Sequence, residues 1–282
     1  MRILHLDAGR EMRGGQWQVL RLIEGLAAAG VESTLLARQD APLYIAARKQ
    51  GWRVQPLGLT RALGCLRSHD LIHAHDARSH LLGAFLRGRP LVVSRRVAFP
   101  VGSRWKYGRA RRYLAVSEFV KGVLMQGGVP EEKISVVYDG VPVLEVSQGT
   151  QVLGLEKDSA LLAHMGLKMV SHLEEEIPDA GVLVYVTNSE GLGSGAMLAM
   201  SAAVAVIASR VGGLPEVIRH GENGLLVENE ESAIASAIRQ LRDHPEQARQ
   251  MGAAARRTVM ERYTVDRMVA GTLEAYRRVL AS

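Results

Sequence analysis

Short apolar runs separated by amphipathic stretches recur along the first half of this chain, and that alternation constrains the fold more than any other feature. RILHLDAG reads as a buried strand. Trp17, Leu20, Ile23 and Leu26 then share one helical face, and Gly30 stands where a helix would stop. VESTLLAR, WRVQPL, DLIHAH, PLVVSRR, YLAVS and KISVVYDG follow as strands. APLYIAARKQ, ARSHLLGAFLRG, the basic WKYGRARR and EFVKGVLMQGG are the helices between them. Short apolar strands of this kind fit a parallel sheet covered by helices on both faces. Ligands of such sheets bind beyond the carboxyl ends of the strands.

DGVPVLEVSQGTQ is polar and turn-rich, so the expected division is residues 1–142 and residues 143–282, two domains in a chain of 282 residues. In the second half GVLVYVTN, VAVIAS and LLVE read as strands, and SALLAHMG is expected as another. MVSHLEEEIPD and GSGAMLAMSAA read as helices. Three further helices close the chain, the last starting after Thr264 as its N-cap. The expected class is α/β with two wound parallel sheets, the second abbreviated.

The stretch SEGLGSGAMLAMSAAVAVIAS is nearly long enough to cross a bilayer, but Ser194 and Ser201 break it. It is expected as a buried helix followed by a strand. The opening MRILHLDAG is expected as a strand rather than as a leader peptide. The single cysteine, Cys65, excludes an internal disulfide and has no Cys-His signature around it; it is expected as a small buried hydrophobe in a reducing, cytoplasmic compartment. Between Asp76 and Glu118 there is no acid, while Arg78, Arg87, Arg89, Arg95, Arg96, Arg104, Lys106, Arg109, Arg111 and Arg112 crowd in. Such a stretch attracts anionic lipid headgroups or phosphorylated ligands, which would place the protein peripherally at an inner membrane face; it also suits a plain solvated face. Nucleic acid is not expected, because stacking aromatics and binding motifs are missing.

Two loops carry chemistry. In DAGREMRGGQWQ, Gly14 and Gly15 precede a helix whose N-terminal amides could hold a phosphate, although the spacing is not G-x-G-x-x-G and a tight turn explains the pair as well. In the second, Glu190 follows a strand, and Gly191 and Gly193 allow close backbone approach to a ligand. A carboxylate beside free amides suits a ligand with hydroxyls and an anionic group, as nucleotide sugars have; the alternative is a Glu that merely favours a helix start.

GGQWQVLRLIEGL, DLIHAHD, YLAVSEFVKGVL, GVPEEKISVVYDGV, SEGLGSGAMLAM, VIASRVGGLPEVI and GENGLLV occur here in the order found in GT-B glycosyltransferases of family 4. The chain resembles that family over nearly its whole length. The resemblance implies two Rossmann-like domains around a cleft, an amino-terminal acceptor side and a carboxy-terminal donor side. It implies sugar transfer from a nucleotide-sugar donor to a lipid, polysaccharide or small-molecule acceptor with retention, and no metal or cofactor. By the same resemblance Glu190 is the first acid of an E-x7-E motif, and Gly191, Leu192 and Gly193 face the donor sugar and diphosphate. Gly14 and Gly15 approach the diphosphate. Arg96 stands where the family often has a histidine, His75 is a second catalytic candidate, and Arg95 or Arg96 would meet leaving-group charge.

The departures are as informative. Leu198 stands where the second acid belongs, and Ala203 and Ala205 replace a Gly-x-Pro, which should weaken the helix end by about 1 kcal/mol. Too little chain lies between the linker and VLVYVTN for the family's opening strand-helix units, each of which needs about 30 residues. Lys157 and Lys168 lie nearby but match no motif. The shortened sheet should leave an edge that is covered, or paired with a second copy. Beside an active transferase, these departures leave open a non-catalytic scaffold binding a nucleotide, a membrane surface or a partner. A nucleotide-sugar epimerase is a weaker third reading, with no acid and base pair to support it.

Overall fold

The computed structural model describes residues 1–157 and 160–281; within them the chain forms twelve strands and thirteen α-helices. They divide into two units, Met1–Tyr138 with Val265–Ser282, and Asp139–Thr264.

The first unit follows the alternation read from its apolar runs: β1 (Arg2–Leu6), α1 (Gly14–Ala28), β2 (Glu32–Ala37), α2 (Pro42–Lys49), β3 (Val54–Pro56), α3 (Leu59–Cys65), β4 (Leu71–Ala74), α4 (Ala77–Phe85), β5 (Leu91–Arg95), α5 (Arg104–Gly108), β6 (Arg112–Ala115), α6 (Glu118–Gln126) and β7 (Ile134–Val136). Helix α3 was not legible because it buries Ala62 alone and so carries no apolar stripe. The strands form one parallel sheet in the order β3-β2-β1-β4-β5-β6-β7. That order reverses direction between β1 and β4, where His5 lies opposite His73. Beyond the carboxyl ends of these two strands is the crevice where wound sheets bind ligands.

The second unit comprises β8 (Gln151–Glu156), α7 (Leu161–His164), β9 (Lys168–Met169), α8 (Leu173–Glu176), β10 (Ala180–Val186), α9 (Ser194–Ser201), β11 (Ala205–Ser209), α10 (Leu214–Val217), β12 (Leu225–Val227), α11 (Glu231–Asp243) and α12 (Pro245–Arg262). Its sheet, also parallel, runs β12-β11-β10-β8-β9, five strands among the described residues against seven in the first unit. Here the reversal lies between β8 and β10. Helices α11 and α12 cover it through Ile234, Ala237, Leu241 and Met251, packed on Val182, Val184 and Ile207.

Three expectations are corrected. The strand expected at SALLAHMG is the one-turn helix α7, with Ser159 outside the described residues; the strand is the preceding QVLGLE, which its central Gly154 and half-buried pattern disguised as linker. MVSHLEEEIPD begins in the short strand β9, is α-helical only over Leu173–Glu176 and continues as a 3-10 turn over Ile177–Asp179. The last helix, α13 (Val265–Ala281), packs in the first unit rather than with the residues beside it in sequence. Its stripe of Met268, Val269, Leu273, Tyr276 and Val279 completes the core formed by Ile3, Leu22, Leu26, Leu71 and Val92. No helix among the described residues is long and apolar enough to cross a membrane.

Candidate functional site

In the second unit, chemistry gathers where β8 and β10 end. Lys157 follows β8, and the loop after β10 carries Glu190, so the sheet reversal brings the two side chains together with Lys157 Nζ 2.7 Å from Glu190 Oε2. The hydroxyl of Tyr185 donates to the same oxygen, and the Gly191 amide donates to Oε1 at 2.9 Å. The ammonium also lies over the Tyr185 ring, 5.3 Å from its centroid. Burial pushes the Glu190 carboxyl up, but Lys157, Tyr185 and the Gly191 amide outweigh it and hold the group below the ordinary carboxylate value. Glu190 is therefore an anion at neutral pH, with a side chain 12% exposed beside a lysine 45% exposed.

The loop around this acid is built by close backbone contact. Gly213 donates to the Glu190 carbonyl at 3.1 Å. A Cβ on Gly212 would lie 1.9 Å from the Glu190 carbonyl oxygen, and one on Gly213 2.1 Å from that of Gly191. VGGLPEVI thus needs both glycines because another backbone occupies the space of their side chains. Asn229 fixes the other end of the loop, donating to the Thr187 carbonyl at 3.0 Å and the Asn188 side chain at 3.1 Å. Gly193, at φ 101°, opens α9 without a side-chain cap and with no acid in the first turn, which leaves an electropositive helix end beside Glu190. Leu198, where a second acid was expected by resemblance, lies buried in the same helix. Helix α9 ends through Ala203 at φ 59°, the left-handed conformation that a glycine would adopt without strain.

In the first unit the reversal between β1 and β4 gathers Asp7, His75, Arg96 and the loop that opens α1. Arg96 Nη1 lies 3.5 Å from His75 Nδ1, and a Cβ on Gly15 would come within 3.9 Å of Arg96 Cδ. Asp7 is buried; it accepts from the Gly9 amide at 2.8 Å and from Gln16 Nε2 at 3.2 Å. Burial and the neighbouring Asp76 push its carboxyl up to about 6. Asp76 caps α4 through the Arg78 and Ser79 amides and accepts from the Ala8 amide at 2.5 Å, tying the two strand ends together.

Beneath them lie three buried histidines. His75 Nε2 is 3.0 Å from His5 Nδ1, and His5 Nε2 is 3.2 Å from Ser33 Oγ. A guanidinium can only donate. Arg96 therefore makes His75 Nδ1 an acceptor, which leaves the His75 proton on Nε2 for His5 and the His5 proton on Nε2 for Ser33. His73 is held by the Tyr276 hydroxyl at 2.6 Å and Ser94 Oγ at 2.8 Å. Burial is the first cause holding all three imidazoles neutral, His5 down to about 3 and His73 and His75 well below the ordinary value. Their ligand atoms lie within 4.8 Å of one another, a spacing a metal ion could use. Every ring nitrogen already has a protein partner, however, and the neighbouring charge is a guanidinium, so the arrangement is a hydrogen-bonded chain poorly suited to a divalent cation.

The expected site residues fall into two groups, one per unit: Gly14, Gly15, His75 and Arg96 in the first, and Glu190, Gly191, Leu192 and Gly193 in the second. Arg95 joins neither. It is buried against the Phe99 carbonyl and lies 5.8 Å from the Tyr107 ring centroid. Lys157, which lies nearby in sequence but matches no motif, joins the site because β8 ends beside β10; Tyr185, Asp7, His5 and His73 carry no motif of their own in the sequence.

Residues 157–258 match the profile for glycosyl transferases group 1, and residues 12–143 that for glycosyltransferase family 4. Among solved structures, Anabaena HepE in complex with UDP and glucose superposes with a TM-score of 0.85 at 16% identity, covering 99% of this chain and 100% of that one. A glycosyltransferase from Rickettsia africae gives 0.81 at 16% identity, covering 99% and 98%. The sheets, their order and these likenesses define a protein of GT-B fold. The two profiles, over residues 12–143 and 157–258, give that fold the family 4, group 1 type of the glycosyltransferases.

Among curated relatives, the alpha-maltose-1-phosphate synthase of Mycolicibacterium smegmatis is 38% identical over 116 residues, 39% of this chain and 30% of that protein. The D-inositol 3-phosphate glycosyltransferase of Streptomyces coelicolor is 32% identical over 152 residues, 50% and 33% of the two chains. The alignments span about a third of the length of these relatives.

Proposed function

We propose that the protein transfers a glycosyl group from a nucleotide-sugar donor to a lipid, polysaccharide or small-molecule acceptor, with retention of configuration and without a metal. The observation that carries this reading is the ionised Glu190 at the sheet reversal of the second unit, adjoining the uncapped start of α9. In this role the carboxylate accepts from donor-sugar hydroxyls, the Gly191 amide steadies its Oε1, and the amides of Leu192 and Gly193 stabilise negative charge on the diphosphate as the glycosidic bond breaks. Lys157 supplies the cation there, in place of the basic residue lost with the missing strand-helix units. Gly14, Gly15 and Arg96 serve as the anion-receiving group of the first unit. His75 acts through Arg96, since both its nitrogens are engaged. The donor's own phosphate would take the acceptor proton, as the family resemblance implies. HepE, bound to UDP and to UDP-glucose, makes a uridine nucleotide the first donor to try.

A second reading is favoured by Leu198 and by the internal pairing of Glu190 Oε2: a scaffold that binds a nucleotide without turnover. Incubation with UDP-, GDP- and ADP-sugars, with NMR detection of released nucleotide and of the anomer formed, separates the two. Release with a retained anomer, abolished in Glu190→Ala, supports transfer. Saturable binding with no release from any donor supports the scaffold.

A further inference from the structure

We propose that the α4–α5 face of the first unit docks on an anionic lipid surface, with Phe85 and Trp105 entering the interface and arginines meeting the headgroups. Helix α4 presents Arg78, Leu81 and Phe85 at helical spacing as an exposed stripe, although an apolar stripe on such a helix ordinarily faces the core. Leu81 is 45%, Phe85 59% and Trp105 46% exposed. They form one patch across two elements, because the Phe85 and Trp105 rings meet at 5.1 Å between centroids. Arg109 lies over the Trp105 ring at 5.4 Å, and Arg104 flanks Trp105 as an exposed residue.

Charge selects the occupant. From residue 77 to residue 117 the chain has no acid, so a second copy applied to this face would set arginine against arginine. Nucleic acid needs open aromatic faces for base stacking. Here Phe85 and Trp105 are engaged with each other, and Arg109 covers the Trp105 ring. Tryptophan and phenylalanine set among arginines, with an aliphatic residue one turn along α4, is the composition that lodges at the headgroup boundary of an anionic bilayer. Electrostatic attraction brings the face to the surface, and the rings hold it there after salt has screened part of the charge.

The test uses the full chain and sedimentation with vesicles of phosphatidylcholine, alone or containing one third phosphatidylglycerol. Binding to the anionic vesicles is expected to exceed binding to neutral ones at least tenfold at low salt and to weaken as salt rises. Arg78→Glu/Arg104→Glu/Arg109→Glu should abolish it, and Phe85→Ser/Trp105→Ser should lower it about tenfold, both with unchanged melting temperature because the positions are exposed. In a Trp17→Phe/Trp52→Phe background, brominated lipid should quench Trp105. Absence of binding to anionic vesicles, equal binding by both variants, or a preference for a single-stranded RNA oligonucleotide would each overturn the proposal. None of these readouts depends on donor turnover, so the two proposals fail independently.

Discussion

Gly213→Ala isolates the contact that shapes the Glu190 loop. Gly213 has φ −85° and ψ −3°, a conformation alanine adopts freely, so the substitution tests space and not backbone strain. The new Cβ would stand 2.1 Å from the Gly191 carbonyl oxygen, where ordinary contact begins near 3.4 Å, so the two strands of backbone must part by about 1.3 Å. That displacement breaks the 3.1 Å bond from the Gly213 amide to the Glu190 carbonyl. Overpacking of about 1–3 kcal/mol and the broken bond of about 1 kcal/mol together predict roughly 3 kcal/mol of destabilisation. For a unit of this size that lowers the melting temperature by roughly 10 °C. Gly221→Ala is the control: it has open space but φ +84°, so it should cost only about 1–2 kcal/mol. Differential scanning calorimetry measures both. If Gly213→Ala melts within 1 °C of the parent, the stacked-loop geometry is refuted.

Lys157→Met removes the cation that keeps Glu190 ionised. Because the lysine is half-exposed, the loss should be only about 1 kcal/mol, but with burial opposed by Tyr185 and the Gly191 amide alone the carboxyl should titrate higher than in the parent, as read by carboxyl NMR. Ala203→Gly relieves the left-handed residue ending α9 and should stabilise by about 1 kcal/mol, raising the calorimetric melting temperature by about 3 °C. The pH dependence follows from the buried imidazoles. His5, His73 and His75 are depressed, as is His80, which α4 buries against Tyr107 and Tyr113, so their stabilisation holds above pH 6.5 and is lost as pH falls, whereas Asp7, raised to about 6, opposes with one proton between pH 4 and 6. Near pH 5 unfolding should take up about three protons net, a slope of about 4 kcal/mol per pH unit. Urea titrations at pH 5 and pH 6 measure it; equal stabilities would contradict the neutral-histidine cluster.

What the sequence made legible followed from periodicity. Strands such as PLVVSRR and helices such as α1 bury continuous or striped apolar sets, and Glu190 stood out as a lone acid ahead of glycines. Leu198 and Ala203 were visible as departures, and the strain expected where Ala203 replaces a glycine is present as its positive φ. What stayed hidden depended on register or on distant chain. His5 and His73 become a pair only when β1 and β4 align. Lys157 meets Glu190 only because β8 adjoins β10, and β8 itself is too interrupted by Gly154 to announce a strand. The return of α13 to the first unit is equally unmarked locally, since an amphipathic helix does not name the sheet it covers.

The central claim is that the Glu190 carboxylate receives the sugar of a nucleotide sugar, and calorimetric titration of the parent and Glu190→Gln against UDP-glucose, GDP-mannose, ADP-glucose and the bare nucleotides tests it most directly. At least one nucleotide sugar should bind the parent, and Glu190→Gln should weaken it tenfold or more while leaving the bare nucleotide unchanged. Equal affinity in both proteins, or no binding by the parent at millimolar donor, contradicts the account.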